Sequence, residues 1–147
     1  MILFGLHQLS GIGWKRISRL VEHFPDLQML LDASAGELMR IGLPAEAAEA
    51  IAQKLKEDHI LSCWERYIGR GIQIMTVFDP DYPPLLRELP QPPWVLYGIG
   101  NLAVLNEALV AMVGTRVPTA YGVRVTEQLA GDLARCGIGI VSGLARG

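Results

Sequence analysis

Apolar residues return at steps of three and four from Trp14 through Ile17, Leu20 and Val21 to Phe24. That spacing predicts an amphipathic helix with one buried stripe. Pro25 ends it, because proline lacks the N–H that the next helical turn needs. Ahead of it a shorter helical piece runs through Leu3 and Leu6, joined by Leu9-Ser10-Gly11-Ile12-Gly13. Glycines on both sides of one aliphatic residue let the backbone turn sharply and leave its amides unscreened. A second arrangement of this kind follows. Residues 37–41 read as helix, Gly42-Leu43-Pro44 as a turn, and 45–56 as a strong helix with Pro44 suited to its first position. Helix continues over 60–67 until Gly69 and Gly71 break it.

The pattern then changes. Ile72, Ile74, Met75, Val77 and Phe78 make residues 71–78 a strand, and Asp79-Pro80-Asp81-Tyr82-Pro83-Pro84 a turn. Residues 85–89 suit one helical turn. Pro90, Pro92 and Pro93 then hold the chain extended, and Trp94-Val95-Leu96-Tyr97 reads as a second short strand. Leu109-Val110-Ala111-Met112-Val113 is apolar without alternation, the pattern of a strand buried on both faces. A helix over 121–136 carries Val125, Leu129 and Leu133 on one stripe, with Gly137 at its C-terminal end. Residues 138–141 read as another buried strand. Strand, helix, strand at this spacing is a βαβ unit with parallel strands and a right-handed crossover.

The change in pattern divides the chain into a helical part, residues 1–65, and an α/β part, residues 66–147. Six of the nine prolines crowd into residues 80–93. Charge divides as well: residues 1–65 carry six Lys/Arg against nine Asp/Glu, and residues 66–147 carry seven against six.

Composition narrows the function classes. Half of the chain is apolar (50%) and 19% is charged, which excludes a disordered chain. A net charge of −2 excludes binding to nucleic acid by bulk charge, so any such contact is local. The longest apolar run, residues 108–113, is far short of a membrane span of about 20 residues. The apolar opening Met1-Ile2-Leu3-Phe4-Gly5-Leu6 lacks the basic start and cleavage site of a signal peptide. Cys63 and Cys136 fit no metal spacing and are expected as free thiols of a reducing cytoplasm. His7, His23 and His59 are dispersed without ligand spacing, so no metal and no cofactor is expected. Neither a dinucleotide nor a Walker-type phosphate motif follows any strand.

Two candidate sites remain. In a parallel pair both carboxyl ends lie on one edge, where open α/β sheets bind ligands. Gly114-Thr115-Arg116 and Ser142-Gly143 should therefore share a crevice. Their glycines would let backbone amides approach an anion, and the Arg116 guanidinium can hold a phosphate with two parallel hydrogen bonds. The second candidate is the first hairpin. It resembles the helix-hairpin-helix motif, in which a Gly-apolar-Gly turn donates amides to a nucleic-acid phosphate. Gly11, Ile12, Gly13 and Lys15 would form that second phosphate site, although such turns also join helices that only pack together. The other hairpin has Leu43-Pro44 where a second glycine is wanted and Glu46 and Glu49 nearby, and reads as structural. Ser142 lacks the Gly-x-Ser-x-Gly context of a nucleophile. Turn chemistry accounts for Asp79 and Asp81. Trp14, Trp64 and Trp94 could stack on bases, but Trp14 lies on the apolar stripe and reads as core.

Several motifs occur in a fixed order: Tyr82-Pro83-x-Leu85, Pro92-Pro93-x-x-Leu96-Tyr97-x-x-Gly100, Val113-Gly114-Thr115-Arg116, Tyr121-Gly122 and Ser142-Gly143-Leu144-Ala145-Arg146-Gly147. From about residue 69 onward the chain resembles the DNA-processing protein A family, also called DprA or Smf. The resemblance implies an α/β architecture: an all-α N-terminal domain of helix-hairpin-helix or SAM-like type, then the first part of a Rossmann-like parallel sheet. Family members continue past the position of Gly147 into an Ile-Asp pair and further strands, so residues 66–147 are expected to hold an incomplete domain. It also implies a bacterial cytoplasmic protein, not an enzyme, that binds single-stranded DNA. Such a protein protects incoming strands in natural transformation and loads the RecA recombinase, with a homodimer at full length. The family's pocket residues correspond to Gly114, Thr115, Arg116, Ser142, Gly143, Ala145 and Gly147, with Arg124 adding charge. A nucleotide phosphoribohydrolase of the lysine-decarboxylase-like group is the alternative, since its domain has a similar glycine-loop start. Its Pro-Gly-Gly-x-Gly-Thr motif is absent up to Gly147.

Overall fold

The computed structural model describes residues 1–145 and is mixed α/β. It forms two compact units, residues 1–100 and residues from 101 onward. The composition change near residue 65 lies inside the first unit.

The first unit opens with α1 (Ile2–Gln8) and α2 (Trp14–His23). The stripe on α2 packs as its periodicity requires: Ile17 and Leu20 are buried, and Val21 and Phe24 are half-buried against the same core. Asp26 caps a 3₁₀ turn, Leu27–Leu31, by accepting from the Gln28 amide. Next come α3 (Ala35–Arg40) and α4 (Ala45–Lys54). Pro44 is the residue before α4 and not its first helical residue. Ser34 and Glu37 form a capping box on α3: the Ser34 hydroxyl accepts from the Glu37 amide, and the Glu37 carboxylate accepts from the Ser34 amide. These bonds hold the Glu37 carboxyl below the usual carboxylate range, the Ser34 amide contributing most.

Helix α5 (Glu57–Ile68) crosses α1 closely. A Cβ at Gly5 would lie 2.8 Å from Ile60 Cδ1, so only glycine lets these helices meet there. Strands β1 (Gln73–Thr76) and β2 (Val95–Gly98) then form an antiparallel hairpin, with Gln73 opposite Gly98 and Thr76 opposite Val95. The Asp79 carboxylate ends β1 by accepting from the Thr76 amide and hydroxyl. The hairpin packs on α1 and α5, which is why it belongs to the helical unit. Its connection contains α6 (Pro84–Arg87). The fully buried Tyr82 anchors that connection by donating its hydroxyl to the Pro93 carbonyl at 2.8 Å.

Phe4, Leu6, Leu20, Leu38, Ala48 and Ile51 are wholly shielded from solvent at the centre of this unit. Each large apolar side chain so buried contributes about 1.5–3 kcal/mol. On the rim, Gln8 Nε2 donates to the Tyr97 hydroxyl at 2.9 Å, and His7 Nδ1 lies 2.9 Å from the same oxygen. Burial pushes the Tyr97 phenol up to about 12.

The second unit begins with a 3₁₀ turn, Leu102–Asn106, and then forms β3 (Leu109–Ala111), α7 (Ala120–Arg135) and β4 (Gly139–Val141). Strands β3 and β4 are parallel, with Leu109 opposite Gly139 and Ala111 opposite Val141. Gly137, at φ 76°, ends α7 in the left-handed conformation that glycine adopts freely. A Cβ at Gly139 would come within 2.5 Å of Leu109 Cδ2, so a larger residue there would have to push the Leu109 side chain aside.

Burial departs from the sequence expectation. Val110, Ile140 and Val141 are 40%, 36% and 43% exposed, and Leu129 on α7 is exposed too. Two strands and one helix cover part of a sheet face and leave the rest open. Among the described residues of this unit no side chain is fully buried.

Candidate nucleic-acid interface

The βαβ unit sets the first site. The Met112 amide donates to the Val141 carbonyl at 2.8 Å, extending the parallel ladder one residue past β3. Both chains therefore leave the sheet at the same edge. The loop from β3 carries Gly114, Thr115 and Arg116; the loop from β4 carries Ser142, Gly143 and Ala145. All six are exposed. Gly147 lies outside the described residues.

Each loop is braced by its own hydroxyl. Thr115 Oγ1 accepts from the Val117 amide at 3.4 Å, and Ser142 Oγ accepts from the Leu144 amide at 3.4 Å. Ser142 thus acts as a turn residue. The β4 loop holds Leu144 at φ 49°, left-handed backbone that a branched side chain rarely adopts. Its side chain is 95% exposed, so packing does not enforce that conformation.

The glycines themselves are open. Among the described residues, and leaving chain neighbours aside, a Cβ added at Gly114 or Gly143 would meet no atom within 4 Å. Packing inside the unit does not demand glycine at either position, and the space beside both backbones is free for a ligand. Among the described residues the one ion pair joins Arg135 to Asp132 on α7. Arg116 has no carboxylate partner, and neither does Arg124, exposed in the second turn of α7. Thr119 caps that helix by accepting from the Gly122 amide at 3.1 Å. Thr119, at the position just before the helical pattern begins, is an N-cap residue type legible in the sequence, whereas the left-handed Leu144 backbone has no local sequence signal.

The first hairpin sets the second site, inside the first unit. Gly11 stands at φ 78°, Ile12 is buried, and Gly13 is the N-cap of α2 with open space where a Cβ would lie. Lys15 is exposed at the first turn of α2. The Gly11 carbonyl accepts from Arg16 Nη1, which brings a guanidinium to the turn. Trp14 does not stand free to stack on a base: it packs on Trp94, with ring centroids 5.6 Å apart. Among the described residues no cluster of three or more His, Cys, Asp or Glu could hold a metal ion.

Residues 73–147 match the family described as DNA recombination-mediator protein A. The chain belongs to this family. Relatives of the recombination-mediator protein A type include the Smf protein of Synechocystis, 35% identical over 145 residues, which covers 95% of this chain and 36% of that protein. The DNA processing protein DprA of Bacillus subtilis is 39% identical over 82 residues, covering 55% of this chain and 28% of that protein. A shorter likeness, 38% over 50 residues, links the chain to the UvrABC system protein C of Streptococcus gordonii, covering 34% of this chain and 8% of that protein. The chain thus spans about a third of the length of these two DNA-processing relatives. Among the described residues no helix is long and apolar enough to cross a membrane.

Proposed function

We propose that the protein binds single-stranded DNA through its phosphates, without chemistry of its own. The carboxyl edge of the β3–β4 pair is the binding crevice, and Gly114, Thr115, Arg116, Ser142, Gly143, Ala145 and Gly147 meet the strand there, with Arg124 adding charge from α7. One observation carries this reading: the parallel strands end two open glycine loops at one sheet edge, beside an arginine that forms no ion pair among the described residues. A guanidinium and bare backbone amides suit a phosphate oxygen and read no base, so the binding is sequence-tolerant. Family membership and the relatives' DNA-processing names support the choice of DNA as the polyanion.

The Gly11-Ile12-Gly13 turn with Lys15 is a second phosphate contact. The biological role that follows is protection of incoming strands and loading of RecA during transformation, by a cytoplasmic protein that pairs with a second copy at full length. Titrating a fluorescent oligothymidylate and a duplex of equal length into the protein tests this. Tighter binding of the single strand, weakening steeply with salt, is expected. Absence of binding overturns the reading, as does free base released from nucleoside monophosphates.

A further inference from the structure

Helix α2 carries a second cationic feature. Arg16, Arg19 and His23 stand at steps of three and four, so they share one face beside the apolar stripe. Its two arginines each meet a glycine turn. Arg16 Nη1 donates to the Gly11 carbonyl, and Arg19 Nη1 donates to the Gly42 carbonyl. Both glycines have positive φ, 78° and 88°, and a Cβ at Gly42 would lie 2.9 Å from Arg19 Nη1. The turn between α3 and α4 is thus seated against α2 through a guanidinium that a side chain at position 42 would have to displace.

Beyond that contact an open cleft of about 610 Å³ is lined by Arg19, Glu22, His23, Arg40, Ile41 and Gly42. Arg40 reaches it from the last turn of α3. A guanidinium carries five N–H donors, so Arg19 keeps four after serving Gly42. The single carboxylate in the lining, Glu22, accepts from the Ser18 hydroxyl at 2.8 Å. Glu37, one turn before Arg40, is engaged with Ser34. Among the described residues neither arginine forms an ion pair, although the Arg40 charge helps to hold the Glu37 carboxyl down.

We infer that this cleft takes a phosphate group of a nucleic-acid backbone, held by Arg19 and Arg40. The inference rests on the proposed binding of a strand and adds a contact surface to it on the helical unit. A strand suits the cleft better than a small phosphate ester. The cleft is open, and the Arg16–Arg19–His23 row leads from it toward the first hairpin, with Gly13 six residues, or about 9 Å, before Arg19 along α2. Anchoring the α3–α4 turn also gives the second hairpin a role its sequence does not suggest: it presents Arg40 beside Arg19 without using its own amides.

Backbone and arginine Nε signals of the isotope-labelled protein, followed during titration with oligothymidylate and separately with inorganic phosphate, test this. Oligothymidylate is expected to shift Gly42, Arg19 and Arg40 at concentrations where inorganic phosphate does not. Arg40→Ala, a change at an exposed side chain that holds no backbone group, should reduce the log–log salt slope of binding by about 0.7, the share of one single-strand phosphate contact. Arg116→Ala should leave the Gly42 and Arg40 shifts in place, so the cleft can fail while the crevice stands, and the reverse. Unmoved Gly42 and Arg40 signals, movement with inorganic phosphate alone, or an unchanged slope in Arg40→Ala overturns the inference.

Discussion

The indole of Trp14 stacks on that of Trp94, and each ties the other's segment down. Trp14 Nε1 donates to the Pro92 carbonyl at 2.7 Å, and Trp94 Nε1 donates to the Trp14 carbonyl at 3.2 Å. The start of α2, and with it the Gly11-Ile12-Gly13 turn, is thereby fixed to the proline-rich approach to β2. Eighty residues of sequence separate the partners, yet they form one joint within the first unit.

Trp14→Phe keeps a ring in the stack and removes one hydrogen bond. It is expected to lower stability by about 1 kcal/mol, the usual net worth of such a bond. Urea unfolding measures it. No change in midpoint would mean that water replaces the indole without loss.

Ser34→Ala removes the hydroxyl side of the α3 capping box, its bonds to the Glu37 amide and carboxylate, and keeps the amide-to-carboxylate bond. The Glu37 carboxyl is held below its ordinary 4.5 in the folded protein. A depressed folded value stabilises the protein above the ordinary value, and that stabilisation fades as pH falls through the folded value. Wild type should therefore unfold at a higher temperature than Ser34→Ala at neutral pH, and the gap should narrow on acidification below 4.5 to the part that comes from the hydroxyl's bond with the Glu37 amide. A gap that does not vary with pH would separate the cap from Glu37.

Much of the helical unit can be read from the sequence, because an amphipathic helix writes its buried face locally. Ile17 and Leu20 are buried as the α2 stripe requires. The Ser34-x-x-Glu37 box carried a legible signal that the sequence reading did not use. The β3 and β4 runs misled on burial. Their apolar residues match a sheet covered on both faces, while the two strands present leave Val110 and Val141 open. The pairing of Trp14 with Trp94, and of Arg19 with Gly42, depends on long-range packing that no local pattern encodes. For the crevice, parallel pairing and loop placement followed from the βαβ spacing; the left-handed Leu144 did not.

Gly143→Val separates fold from binding. A Cβ there meets nothing within 4 Å, so the thermal midpoint should hold within the small effect of a surface change, about 0.5 kcal/mol. Affinity for oligothymidylate should fall, because the side chain fills the space a phosphate would enter. Unaltered affinity would remove the β4 loop from the interface.

The most direct measurement is the salt dependence of oligothymidylate binding for wild type and Arg116→Ala. The crevice account predicts weaker binding to every sequence alike, with a log–log slope shallower by about 0.7 for the lost phosphate contact. An Arg116→Ala protein with the affinity and slope of wild type would contradict it.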